Sequence, residues 1–176
     1  HKNGFVIAFV RVTVEFHSHY FSLIIENSKY FLNIAGQKVF SDGETVWTLL
    51  EDAGEVQVNQ VPDEADMPSD YVSPTNILKI WEKGFKYKYE GEQVLNGNKV
   101  DVVNLYPEQP EEKTFHTIKL FINKQKNELE QIAIKGKDGT DFTYIIKKFS
   151  TNQPIADSKF TFQKSLYPKI EVIDLR

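Results

Sequence analysis

The chain has 176 residues, with 21 Lys and Arg against 25 Asp and Glu and a formal net charge of −4, enough length for one domain with a full core. The acidic balance excludes a general nucleic-acid binder, which needs a basic surface, and 40% apolar with 26% charged residues excludes wholesale disorder. With no cysteine, a catalytic thiol, a thiolate zinc site, a disulfide and a lipidated cysteine are excluded in this chain. No stretch approaches the roughly 18 apolar residues of a membrane-spanning helix. Val, Ile, Phe and Tyr dominate the apolar residues over Leu, Ala and Met. β-Branched and aromatic side chains fit a pleated sheet, so the composition reads as a β protein.

In chain order, the first strand is expected over Phe5–Phe16, where Val10, Val12 and Val14 alternate with Arg11, Thr13 and Glu15. Further strands are expected over Tyr20–Ile25, Tyr30–Ile34 and Lys38–Ser41. Asp42-Gly43 is a hairpin signal leading into Thr45–Leu50, which pairs back through Asp52-Ala53-Gly54 to Glu55–Gln60. Val61–Ser73, with two prolines, four acids and no base, reads as a solvated loop. Ser73-Pro74 then has the form of a helix start. Ile77, Ile80 and Trp81 fall on one face of a short helix that stops at Gly84. Phe85–Glu92 and Lys99–Tyr106 flank the Asn96-Gly97-Asn98 turn. Thr114–Ile122, Leu129–Lys135 and Thr140–Phe149 form a later series, and a helical turn is expected within Asn152–Lys159 before the closing FTF and IEVIDL runs. About eleven antiparallel strands with one short helix need a covering layer. The sheet must therefore cover itself, as a sandwich or by curling into a barrel or part-barrel.

Few residues suggest chemistry. His17 and His19, with Glu15, alternate along one strand face and could chelate a metal, although a polar, solvent-facing strand edge explains them better. His116 stands alone. No GxSxG elbow, P-loop or GxGxxG fingerprint occurs. The acids Asp63, Glu64, Asp66 and Asp70 lack the spacing and glycine of a calcium loop. In Phe85–Tyr89, alternation puts Phe85, Tyr87 and Tyr89 on one face and Lys86 and Lys88 on the other, expected as aromatics in and lysines out. The stripes Tyr30, Leu32 and Ile34; Trp47 and Leu49; Val56 and Val58; and Ile118, Leu120 and Ile122 are apolar. They either pack together or line an apolar cavity, and spacing does not separate the two.

Three blocks resemble the LolA family of periplasmic outer-membrane lipoprotein carriers, in a form like that of Bacteroidetes sequences. They are KYFLNIAGQKVFSDGETVWTLLEDAGEVQVN (29–59), SPTNILKIWEKGFKYKY (73–89) and the ending DSKFTF…YPKIEVIDLR (157–176). Residues 1–28 match poorly, the family's N-terminal amphipathic helix is not read there, and in the stretch Asn27–Phe31, near which the family often has an Arg, only Lys29 is basic, so that Arg's role is not carried over. The resemblance implies a single domain over 1–176, mainly β, as a strongly curved, unclosed antiparallel sheet or half β-barrel with a short helical lid. It implies a monomeric, cofactor-free carrier without catalysis, its signal peptide already removed. Such a carrier takes acylated lipoproteins from an inner-membrane lipoprotein-releasing transporter to an outer-membrane acceptor, sequestering their acyl chains. The expected cavity and lid residues are Tyr30, Leu32, Ile34, Trp47, Leu49, Val56, Val58, Ile77, Ile80, Trp81, Ile118, Leu120 and Ile122. A periplasmic sensor or a carrier of another lipid is the alternative on the same fold, and an enzyme acting on lipid or glycan in the same cavity is a third reading.

Overall fold

The computed structural model describes residues 6–14, 17–34, 36–63, 75, 83–151 and 154–176. They form twelve strands: β1 (Val6–Val14), β2 (His17–Glu26), β3 (Lys29–Ile34), β4 (Gln37–Ser41), β5 (Thr45–Leu50), β6 (Glu55–Gln60), β7 (Phe85–Leu95), β8 (Asn98–Pro107), β9 (Phe115–Asn123), β10 (Glu128–Gly136), β11 (Asp141–Thr151) and β12 (Glu171–Asp174). All twelve belong to one sheet in the order β12-β6-β5-β4-β3-β2-β1-β11-β10-β9-β8-β7. The outermost strands, β12 and β7, do not pair with each other, so the sheet is unclosed. The expected mainly β, curved and open architecture is therefore what the chain adopts. The strand count is twelve rather than about eleven. The closing IEVIDL run supplies the twelfth, and it pairs in parallel with β6, unlike every other pairing.

Turn chemistry explains the hairpins. Asn96 and Gly97 both take positive φ, 50° and 85°, the pair of left-handed conformations that a two-residue I′ turn demands. At Asp42-Gly43, the Asp42 carboxylate accepts from the Glu44 and Thr45 N–H groups at 3.0 and 2.8 Å, and Gly43 has φ 99°. Register breaks fall at Phe9/Val10, Leu129/Gln131, Lys135/Gly136 and Tyr89/Gly91. Each is an extra residue on one strand that bends it and raises the local twist, and these breaks fall from β1 through β11 to β7, whereas β2 to β6 pair without interruption.

Two apolar clusters hold the sheet. One gathers Phe85, Leu105, Phe115, Ile118, Leu120 and Ile132 across β7–β10. The other gathers Phe31, Phe40, Leu49 and Val56 with Phe160. The C-terminal segment between β11 and β12 covers this second cluster. It runs through two 3-10 turns, Asp157–Phe160 and Lys164–Leu166, as the expected turn within 152–159 foreshadows. The expected helix with Ile77, Ile80 and Trp81, and residues 64–73 of the acidic loop, lie outside the described residues.

Candidate functional site

Cross-strand register decides which apolar stripes share a face, because directly opposed residues project to the same side. Leu120 is opposed by Val103 on β8 and by Ile132 on β10, and Ile132 by Tyr144 on β11. Leu105, Ile118, Ile134 and Phe142 form the next row. From β11 the register passes through β1, Ile146 to Val10 to Phe21, and then Phe21 to Ile34. Leu23, Leu32, Val39 and Thr48 make the following row, and Ile25, Tyr30, Ser41 and Val46 the one after. Tyr30, Leu32 and Ile34 thus belong to the same face as Ile118, Leu120 and Ile122, across most of the width of the sheet. Ile118, Leu120, Leu23 and Ile25 on it are buried, whereas Tyr30, Leu32, Ile34, Ile122 and Tyr144 are half-buried. Burial raises the Tyr144 phenol above its ordinary pKa.

Trp47, Leu49, Val56 and Val58 stand on the opposite face. Trp47 is opposed by Phe40 and Val58, and Leu49 by Val56; Phe40 is opposed by Phe31. Of these four residues, expected to line a cavity with Tyr30 and Leu32, Leu49 and Val56 are fully buried in a core under the C-terminal segment, with Trp47, Phe162, Tyr167 and Ile170 packed around them, and Val58 is buried beside Trp47. Phe31 and Phe40 lie 5.1 Å apart, Phe40 and Phe162 6.2 Å, and Phe162 stacks on Tyr167 at 5.3 Å. The Lys159 ammonium sits 4.0 Å from the Phe31 ring centre, a cation–π contact. Lys29 bonds Asp157 of this segment at 2.7 Å. Alternation alone ranks the two faces equally; the strand order separates them.

Other expectations meet mixed outcomes. Phe85, Tyr87 and Tyr89 do share a face, opposed by Pro107, Leu105 and Val103. Only Phe85 is buried, however; Tyr87 and Tyr89 are 57% and 60% exposed. β7 is an outer strand, with no strand beyond it among the described residues, and Tyr89 donates to Asp101 at 2.7 Å. His17 and His19 open β2 where only β1 pairs with it, since β3 joins from Phe21 onward; their side chains and Glu15 lie outside the described residues. Among the described residues no three His, Cys, Asp or Glu side chains come together. His116 is exposed, its Nδ1 2.8 Å from the Thr117 hydroxyl. Phe21, Leu23, Ile25, Ile132, Ile134 and Tyr144 belong to the apolar face, although nothing in the sequence singles them out. The signal available is their strand alternation, which becomes informative only with the pairing partners known.

An unclosed curved sheet with apolar rows on one face of β8–β11 and, from Phe21 onward, of β2 and β3 is a fold that supports carriage of a lipid or lipoprotein. The family model of the outer membrane lipoprotein carrier protein LolA matches residues 35–163, more than half of the chain, and the chain belongs to this family. The family makes it an envelope protein, and no helix among the described residues is long and apolar enough to cross a membrane. Among solved structures, the chain resembles an uncharacterized conserved protein from Thermus thermophilus, with TM-score 0.63 at 10% identity over 98% of this chain and 91% of that one. Lipoprotein LppX of Mycobacterium tuberculosis gives TM-score 0.50 at 14% identity over 86% and 88%, and LprF from Mycobacterium bovis 0.50 at 13% over 85% and 87%. Likeness at these identities is one of fold. No curated protein sequence matches the chain.

Proposed function

We propose that the protein is a non-catalytic periplasmic carrier that holds the acyl chains of lipoproteins on the face bearing Tyr30, Leu32, Ile34, Ile118, Leu120 and Ile122. In this reading it moves them from an inner-membrane releasing transporter to an outer-membrane acceptor. The observation that supports it is the continuity of that face across an open sheet in a member of the LolA family. On the opposite face the C-terminal segment packs over Phe31, Phe40, Leu49 and Val56; on the first face Ile118 and Leu120 are buried with Phe85 and Leu105, and Tyr30, Leu32, Ile34 and Ile122 are half-buried. The resemblance carries Tyr30, Leu32 and Ile34 over to the family's inward strand, which supports choosing that face.

The energetics favour a relay rather than an extractor. Each buried methylene contributes roughly 0.8 kcal/mol, so a triacyl anchor is held in a bilayer by on the order of 30 kcal/mol. Non-covalent affinities saturate near about 20 kcal/mol. A carrier of this kind receives cargo from an energised donor, binds it moderately and yields it to a stronger acceptor. Native mass spectrometry of the protein purified from its own periplasm tests the reading: co-purifying acylated polypeptide supports it, and a free lipid alone replaces it with carriage of another lipid.

A further inference from the structure

Beyond the apolar face, the sheet contains a break. β10 and β11 pair from Gln131 opposite Ile145 to Lys135 opposite Asp141. Continued at the same register, Glu130 would oppose Ile146, Leu129 would oppose Lys147, and Glu128 would oppose Lys148. None of these rungs forms. Among the described strands, β10 pairs from Glu128 to Glu130 with β9, and β11 pairs from Ile146 to Thr151 with β1. Each wall carries an extra residue at the break: Glu130 between the Leu129–Ile122 and Gln131–Phe121 pairs, and Lys147 between the Ile146–Val10 and Lys148–Phe9 pairs. Bulges of this kind bend a strand and terminate its pairing. The six separated residues line a crevice of about 370 Å³. Asn98 and Asn123 both donate to the Glu130 carboxylate, at 2.8 and 2.6 Å, which anchors that wall in its bulged position.

We infer that this crevice accepts an extended polypeptide, the stretch of the cargo that follows its acyl anchor, laid as a strand against β11; the inference rests on the carrier reading above. Two strands that part company inside a sheet turn backbone edges toward the gap, and an extended peptide recognises such an edge through its main chain. The walls carry the Glu128 carboxylate and the Lys147 ammonium, a donor and acceptor mixture that suits a peptide better than a ligand of one sign. The crevice also adjoins the apolar face, since Leu129 is opposed by Ile122 and packs against the cluster containing Leu120 and Ile132. An acyl chain on that face and the polypeptide attached to it are therefore placed side by side. Main-chain recognition tolerates sequence variation, as a carrier serving many cargoes requires.

Backbone amide hydrogen exchange, read residue by residue on the intact protein, tests this with three probes: palmitate, a short Ser- and Ala-rich peptide, and the same peptide palmitoylated at its N-terminus. A strand added to β11 slows exchange at every second amide from Ile146 to Thr151, because alternate N–H groups point to alternate neighbours. The palmitoylated peptide is expected to slow those amides by about tenfold or more, with palmitate leaving them unchanged. Protection by palmitate alone, protection without the two-residue period, or no change at Ile146–Thr151 while the palmitoylated peptide protects the apolar face overturns the inference and leaves the carrier reading standing. Failure of both palmitoyl probes to protect any residue removes the carrier reading and this inference with it.

Discussion

Leu32 and Trp47 occupy opposite faces of one sheet only two strands apart. Leu32 is opposed by Val39 and, through it, by Thr48, whereas Trp47 is opposed by Phe40, which belongs to the core under the C-terminal segment. The two residues look alike in the sequence, each apolar in an alternating strand, yet they answer to different physics. Leu32 is half-buried on the face proposed to hold cargo, and Trp47 is part of what holds the segment with Phe160 and Phe162 down.

Substitutions on the two faces should therefore separate binding from folding. Leu32→Asp puts a carboxylate among apolar side chains and is expected to weaken palmitoyl-peptide binding by about tenfold or more, close to 1.4 kcal/mol, with the folded structure retained. Leu49→Ala, at a fully buried position, is expected to cost about 2–5 kcal/mol of stability and to leave the affinity of the folded fraction unchanged. Urea unfolding and fluorescent fatty-acid displacement on both variants check this, and a reversed pattern would exchange the roles of the faces.

The C-terminal segment should depend on its apolar anchor far more than on its charges. Phe160 is fully buried in the cluster with Phe31, Phe40 and Leu49, and Phe160→Ala is expected to cost about 3–5 kcal/mol. Lys159→Gln removes the ammonium above Phe31 and should cost no more than about 1 kcal/mol, since exposed cation–π contacts are weak. Denaturant midpoints for the two variants give the comparison directly.

Alkaline titration should report on the apolar face. Burial disfavours the charged form of Tyr144 and raises its pKa. A folded-state pKa above the unfolded one means that the associated stability is fully present below about pH 10 and is lost as pH rises through the folded value. Absorbance at alkaline pH should show a late phenol step shared by Tyr144 and by Tyr89, which its bond to Asp101 also raises, and Tyr144→Phe should remove the Tyr144 share of it. Cargo bound beside Tyr144 excludes water further and should delay the step more.

Gly43 should resist replacement. It has φ 99°, and a Cβ there would lie 2.5 Å from the Ser28 hydroxyl, so both the backbone and the neighbour oppose a side chain. Gly43→Ala is expected to cost more than about 1 kcal/mol, seen as a lowered melting temperature, whereas Gly97→Ala meets a positive φ but no neighbour within 4 Å and should cost less.

Much of the fold is legible in the residues because antiparallel strands joined by short turns carry local signals. Asp42-Gly43, Asn96-Gly97 and Asp138-Gly139 each announce a hairpin, and the alternation between them gives the strands. The site is less legible, since a face belongs to several strands at once. Whether Leu32 joins Leu120 or Trp47 depends on the order β3-β2-β1-β11-β10-β9, set by the pairing of β1 with β11 far along the chain. Bulges hide for a related reason. Glu130 and Lys147 look like ordinary strand residues, and one extra position changes which side every later residue faces. Tyr87 and Tyr89 follow the expected alternation but stay exposed because β7 is outermost, a property of the assembled sheet and not of the segment.

The parallel pairing of β12 with β6 has a consequence for how the molecule comes into being. Glu171 pairs with Glu55, and the Leu175 N–H reaches the Val58 carbonyl at 2.8 Å, so strands made early wait for residues 155–175 to be synthesised. Until then the greasy side of Phe31, Phe40 and Leu49 lacks the segment that packs on it. Contacts so distant along the chain slow folding, and a nascent chain that stops short of residue 155 exposes an adhesive surface meanwhile. The polypeptide must itself be shielded until that stretch arrives.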